Sequence, residues 1–113
     1  SAASDVYKRQ ALAEARGVLV VPHNPLSPVS TAACIQLAAA IPNFAIQEYP
    51  LGEDSAPKNR IVKSTLTLKD GYLTVPEGPG IGIELNESAM NDYPYKPRLY
   101  VTKLREDGAV ADQ

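Results

Sequence analysis

Tryptophan is absent from this chain, and cysteine, histidine, methionine and phenylalanine occur once each. A lone cysteine, Cys34, forms no internal disulfide, so a reduced compartment such as the cytoplasm is expected. It falls among apolar helix formers and reads as a buried small hydrophobe rather than a nucleophile. No apolar run approaches the roughly 18 residues needed to span a bilayer, and no charged-then-apolar signal segment is visible. No charge of one sign dominates either. Eleven Lys and Arg against 13 Asp and Glu leave a net charge of −2, with the basic residues scattered. That excludes the electrostatic footprint of a nucleic-acid binder. What remains is 113 residues, 44% hydrophobic and 21% charged, a balance suited to one small soluble unit. The ten prolines lie between apolar runs and mark turns, not a disordered tract.

The first ten residues differ in character from the rest of the chain. Asp5-Val6-Tyr7-Lys8-Arg9-Gln10 is similar to the translation of a transposase adapter used to prepare sequencing libraries. Residues 1–10 are therefore expected to be a non-native leader. From Ala11 to Arg16 the chain is strongly helix-forming, and Gly17 is a natural C-terminal stop.

Val18-Leu19-Val20-Val21 is a continuous, β-branched-rich run, as expected of a strand buried on both faces of a parallel sheet. Pro22 ends it, directly before the only histidine, His23. Ser27-Pro28 predicts an N-cap with proline in the first helical turn. The helix is expected to carry Val29, Ala33, Leu37 and Ala40 along one face and to stop before Pro42. A second short strand, Phe44 to Gln47, ends at Glu48 and is closed by Pro50. A right-handed strand–helix–strand crossover sets the two strands side by side, or nearly so. His23 and Glu48 then sit at one sheet edge, the edge where α/β enzymes place their chemistry. A group titrating near neutrality beside a carboxylate suits acid–base work. The same pair makes a poor metal site, because two ligands are too few.

Beyond Gly52 the texture changes. Residues 53–60 are polar and loop-like, and Glu53 and Asp54 read as part of a solvated loop. Asp70-Gly71 marks a two-residue hairpin turn within Leu66 to Val75. Ile81 to Leu85 predicts another strand, and Asn86 a cap for a short helix from Glu87 to about Tyr93. Leu99 to Leu104 predicts a last strand before an Asp107-Gly108 turn. Gly78, Gly80 and Gly82 lack the flanking strand and helix of a phosphate loop, so they read as turn glycines. Ser27 and Ser30 have no nucleophile-elbow context and are assigned to capping.

Several of these segments carry a specific resemblance. Pro22-His23-Asn24-Pro25-Leu26-Ser27-Pro28-Val29, Ala32-Ala33-Cys34, Ile41-Pro42-Asn43-Phe44 and Ile46-Gln47-Glu48-Tyr49 resemble the seventh and eighth barrel strands of acid-sugar dehydratases. These enzymes form part of the mandelate racemase group of the enolase superfamily. Asp70 to Leu73 and Pro79 to Glu87 resemble the tail that follows the barrel there. The His23–Pro28 spacing is most similar to galactonate dehydratases, whereas Tyr93 to Lys96 and Leu104 to Gly108 resemble mannonate dehydratases. The active-site loop carries more weight, because substrate chemistry is decided there.

The resemblance implies an α/β fold, namely the last two βα strands of a (β/α)8 TIM-type barrel. A C-terminal hairpin and helix segment would pack with a capping domain. A full barrel has eight strands and typically about 250 residues, so this barrel is incomplete. The implied boundaries are a leader at 1–10, the barrel end at 11–52 and the C-terminal segment at 53–113. The implied reaction removes water from a sugar acid and gives a 2-keto-3-deoxy acid. His23 would be the general acid, and Glu48 would hydrogen-bond the substrate carboxylate as an enediolate forms. Asn24 and Pro25 are expected to contact substrate. Magnesium is implied for the full-length enzyme, with its ligands and the catalytic base on earlier strands outside this chain. The chain alone is accordingly expected to be inactive. The expected partners are a small sugar acid and, for the parent enzyme, further copies of itself; neither nucleic acid nor membrane is expected. Three other readings stay open: a mannonate-type dehydratase, a racemase or cycloisomerase of the same superfamily, and a small non-catalytic binding domain.

Overall fold

The computed structural model describes residues 2–97 and 103–109. Its elements in chain order are helix α1 (Ala2–Glu14), helix α2 (Pro28–Ala40), a 3-10 turn (Lys58–Arg60) and helix α3 (Ala89–Asp92). Helix α1 runs without a break past residue 10 and closes on a glycine in the left-handed region, Gly17 at φ 65°. Val18 N–H reaches back to the Ala13 carbonyl at 2.9 Å and Gly17 N–H to the Glu14 carbonyl at 3.0 Å. This Schellman-type closure satisfies carbonyls that the helix end would otherwise orphan. Gln10 is buried, and its Nε2 donates to Asn43 Oδ1 at 3.0 Å, so α1 is tied to the start of the second strand.

The strand–helix–strand order is as expected, but the strands are short. Val20 pairs with Phe44 in a single parallel bridge. Val20 N–H donates to the Asn43 carbonyl at 2.8 Å and Ala45 N–H to the Val20 carbonyl at 3.1 Å. The expectation that Val18 to Val21 is covered on both faces is not met. Leu19 is 64% exposed, and Val18, Val21 and Ile46 are exposed as well. A parallel pair gains its ladder and its burial from neighbouring strands and covering helices, and among the described residues no further strand pairs with these two.

Helix α2 begins with Ser27 at the N-cap and Pro28 inside the first turn, as the sequence predicts, although the Ser27 side chain makes no capping bond. It ends at Ala40, with Ile41 and Pro42 beyond. Its inward stripe is Pro28, Thr31, Ala32 and Ile35. The predicted stripe of Val29, Ala33, Leu37 and Ala40 is half-buried or exposed. Because α2 is apolar nearly all round, periodicity alone does not choose its inner face.

In the second half, Lys69 and Tyr72 pair around Asp70 (φ 51°) and Gly71 (φ 81°), both in the left-handed region that a type I′ turn demands. Val62 pairs with Leu85 in an antiparallel bridge. The predicted helix after Asn86 is shorter than expected, since α3 starts only at Ala89 with Ser88 as its N-cap. Gly82 sits at φ 75°, where an added Cβ would lie 2.3 Å from Pro76 Cβ; the turn accepts no side chain. The Asp107-Gly108 turn is present, with Arg105 N–H donating to the Ala109 carbonyl at 2.8 Å. Most of the predicted strand from Leu99 to Leu104 lies outside the described residues.

The two halves touch through Gln36 Nε2 on the Pro76 carbonyl at 2.7 Å and Tyr49 Oη on the Leu66 carbonyl at 3.1 Å. The accessible surface is 8898 Å², against about 6,000 Å² for a compact monomer of this mass. The Cα radius of gyration is 17.2 Å, against about 13 Å for a compact domain of this length. The chain leaves much of its apolar surface uncovered.

Candidate functional site

Parallel pairing at Val20 and Phe44 carries both strands toward one edge, and the contact resumes at their tips. Asn24, the residue after His23, donates its backbone N–H to Glu48 Oε2. Asn24 Nδ2 also donates to the Glu48 carbonyl at 3.1 Å. The first strand tip therefore grips the second at its main chain and its carboxyl together. His23 and Glu48 are both exposed. Among the described residues no hydrogen bond fixes the His23 ring, and none engages Glu48 Oε1.

Asn24 itself is fully buried. Its amide orientation follows from its partners, since the Glu48 carbonyl only accepts and must face the NH2 group. The second Nδ2 hydrogen goes to Thr31 Oγ1 at 2.7 Å. Thr31, in the first turns of α2, is also fully buried and donates to Glu53 Oε2 at 2.6 Å. Pro25, by contrast, is exposed, two residues after the histidine.

Glu53 corrects the reading of a solvated acidic loop. Its neighbour Asp54 is exposed, but Glu53 has no exposed surface. Pro50 closes the second strand, Gly52 turns the chain at φ 73°, and Glu53 N–H returns to the Pro50 carbonyl at 3.2 Å. That turn drops the carboxyl onto Thr31. Burial pushes the Glu53 carboxyl above its usual range, partly opposed by the Thr31 hydrogen bond and the Lys58 charge. Glu53 Oε1 and Asn24 Oδ1 are buried without partners among the described residues. Burial also pushes the Tyr49 hydroxyl up, helped by the Glu53 and Asp54 charges.

Cys34 is half-buried rather than fully buried. Burial raises its thiol, opposed by hydrogen bonding to Ser30 and Gln47, so a nucleophilic thiolate is disfavoured.

Sequence reasoning placed His23 and Glu48 at one edge but did not find Thr31 or Glu53. One signal was available for Thr31. It stands three residues after Pro28 and four before Ile35, on a stripe that is otherwise apolar. Among the described residues no group of three or more His, Cys, Asp or Glu side chains gathers to hold a metal ion. The donor set of the described residues does not fit a divalent metal site by itself. No described helix is long and apolar enough to cross a membrane.

Comparison with known proteins places this edge in context. Residues 4–89 match the family model for the "Enolase C-terminal domain-like" family. A D-galactonate dehydratase family member from Streptomyces bingchenggensis is 36% identical over 96% of this chain and 26% of its own length. A D-mannonate dehydratase from Xanthomonas oryzae pv. oryzicola is 34% identical over 77% of this chain and 20% of its own length. Among solved structures, a proposed L-alanine-DL-glutamate epimerase from Burkholderia xenovorans, bound to magnesium and fumarate, is 30% identical with a TM-score of 0.72. That match covers 79% of this chain and 22% of the other. The chain thus spans between a fifth and about a quarter of the length of these relatives.

Proposed function

The chain belongs to the enolase C-terminal domain-like family, and from that premise we propose that it carries the acid side of a sugar-acid dehydratase active site. The observation that carries this reading is the shared edge of His23 and Glu48, joined through Asn24. Loss of water from a sugar acid needs a proton removed next to the carboxylate and a proton delivered to the departing β-hydroxyl. His23, exposed and without a ring partner among the described residues, is suited to deliver that second proton, after which the hydroxyl leaves as water.

Glu48 faces the other demand. As the α-proton leaves, negative charge grows on the substrate carboxylate oxygens, and a donor placed there stabilises the enediolate. A carboxyl donates only when protonated. Glu48 Oε2 already accepts from Asn24, which leaves Oε1, without a partner among the described residues, for the substrate. Asn24, expected to bind substrate, spends both donor hydrogens inside the chain and serves by fixing the edge. Exposed two residues after His23, Pro25 would line the substrate.

The substrate we propose is a galactonate-like acid, supported by the His23–Pro28 spacing and a galactonate dehydratase family relative. The base, and any metal that takes up enediolate charge, would come from segments outside these 113 residues. No step assigned to this chain runs through a metal. A small autonomous binding domain is disfavoured by the 8898 Å² of exposed surface.

The test is a dehydration assay of the full-length enzyme with D-galactonate and D-mannonate, following the 2-keto-3-deoxy product. Turnover of D-galactonate that His23→Asn abolishes supports the reading. Epimerised acid without loss of water would move the chain to the racemase and epimerase branch, as the magnesium-bound neighbour illustrates. Preference for D-mannonate would correct the substrate and leave the roles of His23 and Glu48 standing.

A further inference from the structure

A fully buried carboxyl in a loop is costly unless its bonds do something an apolar residue of the same shape would not. Glu53 is such a group, and its bonds lead in one direction. Asn24 Nδ2 donates to Thr31 Oγ1 at 2.7 Å, and Thr31 Oγ1 donates to Glu53 Oε2 at 2.6 Å. The other hydrogen of Asn24 Nδ2, and its backbone N–H, go to the carbonyl and the carboxyl of Glu48. Each donor in this series points toward an acceptor. The hydroxyl proton of Thr31 is directed by Glu53, which leaves the Thr31 lone pairs to receive Asn24. Without Glu53, Thr31 Oγ1 is free to rotate and to turn its proton toward Asn24, where two donors would face each other. The series starts from three elements: the loop after the second strand, the first turns of α2 and the tip of the first strand. It converges on the residue that abuts His23 and grips Glu48.

We propose that Glu53 is a positioning residue, acting through Thr31 and Asn24 to hold the Glu48 carboxyl and the His23 tip in reacting register. This inference rests on the reading that His23 and Glu48 carry the chemistry. Neither Glu53 nor Thr31 touches substrate. Their effect is on where the Glu48 carboxyl sits when charge develops, so it falls on turnover more than on substrate affinity. Displacements of the order of 1 Å at a reacting group cost up to about 100-fold in rate.

The experiment uses the full-length enzyme, with the dehydration assay and circular dichroism as readouts. Thr31→Val keeps the shape and removes both hydroxyl bonds, whereas Thr31→Ser keeps the hydroxyl. Glu53→Leu removes the acceptor, whereas Glu53→Gln retains one. The expected result is a fall in kcat of about 10- to 100-fold for Thr31→Val and for Glu53→Leu, with KM changed by less than about threefold. Thr31→Ser and Glu53→Gln should stay within about threefold of the parent. The Thr31→Val/Glu53→Leu double variant should lose no more than the worse single one, because both cut one series. Parental kcat in a folded Thr31→Val enzyme would overturn the proposal. So would Thr31→Ser being as impaired as Thr31→Val, which marks a purely structural role. Should Thr31→Val fail to fold, the Glu53→Leu and Glu53→Gln pair decides by the same criteria. His23→Asn, run in parallel, separates the two levels. Loss of dehydration in His23→Asn with parental Thr31→Val sinks only this inference, whereas dehydration surviving His23→Asn sinks the functional reading beneath it.

Discussion

The tips of the two parallel strands and their bodies reverse the usual arrangement of polar and apolar groups. At the tips, Asn24, Thr31 and Glu53 are polar and fully buried. A few residues back, Val18, Leu19, Val21 and Ile46 are apolar and exposed. Exposing scattered apolar side chains is ordinary for a protein, whereas a fully buried Asn and Glu are the more informative observation. The difference separates what this chain supplies for itself from what it does not. Every donor of the polar series finds its acceptor within residues 24–53, while two buried acceptors, Asn24 Oδ1 and Glu53 Oε1, have no partner among the described residues. The strand bodies, by contrast, are left exposed among the described residues.

The sharpest way to break this comparison is at the tip. In the full-length enzyme His23→Asn should lower dehydration about 100- to 10,000-fold, the span that a general acid supplies. Unchanged turnover would reduce the edge to a structural knot.

The strand body gives the next largest effect. Leu19 is 64% exposed here, yet Leu19→Ala should destabilise the full-length protein by about 2–5 kcal/mol, the cost of truncating a core leucine. A change below about 0.5 kcal/mol in chemical denaturation would place this strand against water in the whole protein too.

A smaller effect is expected for Asn24→Leu, which strips donors from the Glu48 carbonyl and Thr31. The loss should be about 1–3 kcal/mol by the same measurement, the penalty for stranding buried polar groups. A neutral outcome would mean that the polar series does not hold the tips together.

The least effect, and the most specific, is a pH slope. The Glu53 carboxyl is raised in the folded state, chiefly by burial, above the ordinary value of 4.5. The folded state then holds a proton that the unfolded chain releases earlier. The associated stability is fully present below the ordinary carboxyl value and is lost as pH rises through the raised one. Glu53→Gln should flatten the decline in stability across that window. An unaltered slope would show that another group sets it.

Much of this architecture was legible in the sequence, and the illegible parts share a cause. Gly17, Ser27-Pro28, Pro42 and Asp70-Gly71 encode their turns and caps locally, and each appears at the expected place. The approach of His23 and Glu48 followed from the handedness of strand–helix–strand units, a rule that needs no neighbours. The face of α2 was not legible. A helix with Ala, Val, Ile or Leu at eight of its 13 positions offers more than one apolar stripe, and only the packed chain selects one. Glu53 was hidden for a related reason. Beside Asp54 after a Gly turn it has the local pattern of a solvated acid, and its burial depends on Thr31, 22 positions earlier. The strands are shorter than their sequence suggests because their apolar character encodes a sheet larger than two strands.

The central claim is that this chain holds one hydrogen-bonded edge, which we propose carries acid–base chemistry, beside strand bodies that are left exposed among the described residues. The direct measurement is thermal unfolding of the 113-residue chain alone, followed by circular dichroism with a dye that reports exposed apolar surface. The account predicts strong dye binding before heating and a broad, weakly cooperative transition. A sharp transition from a monomer that binds no dye would contradict it.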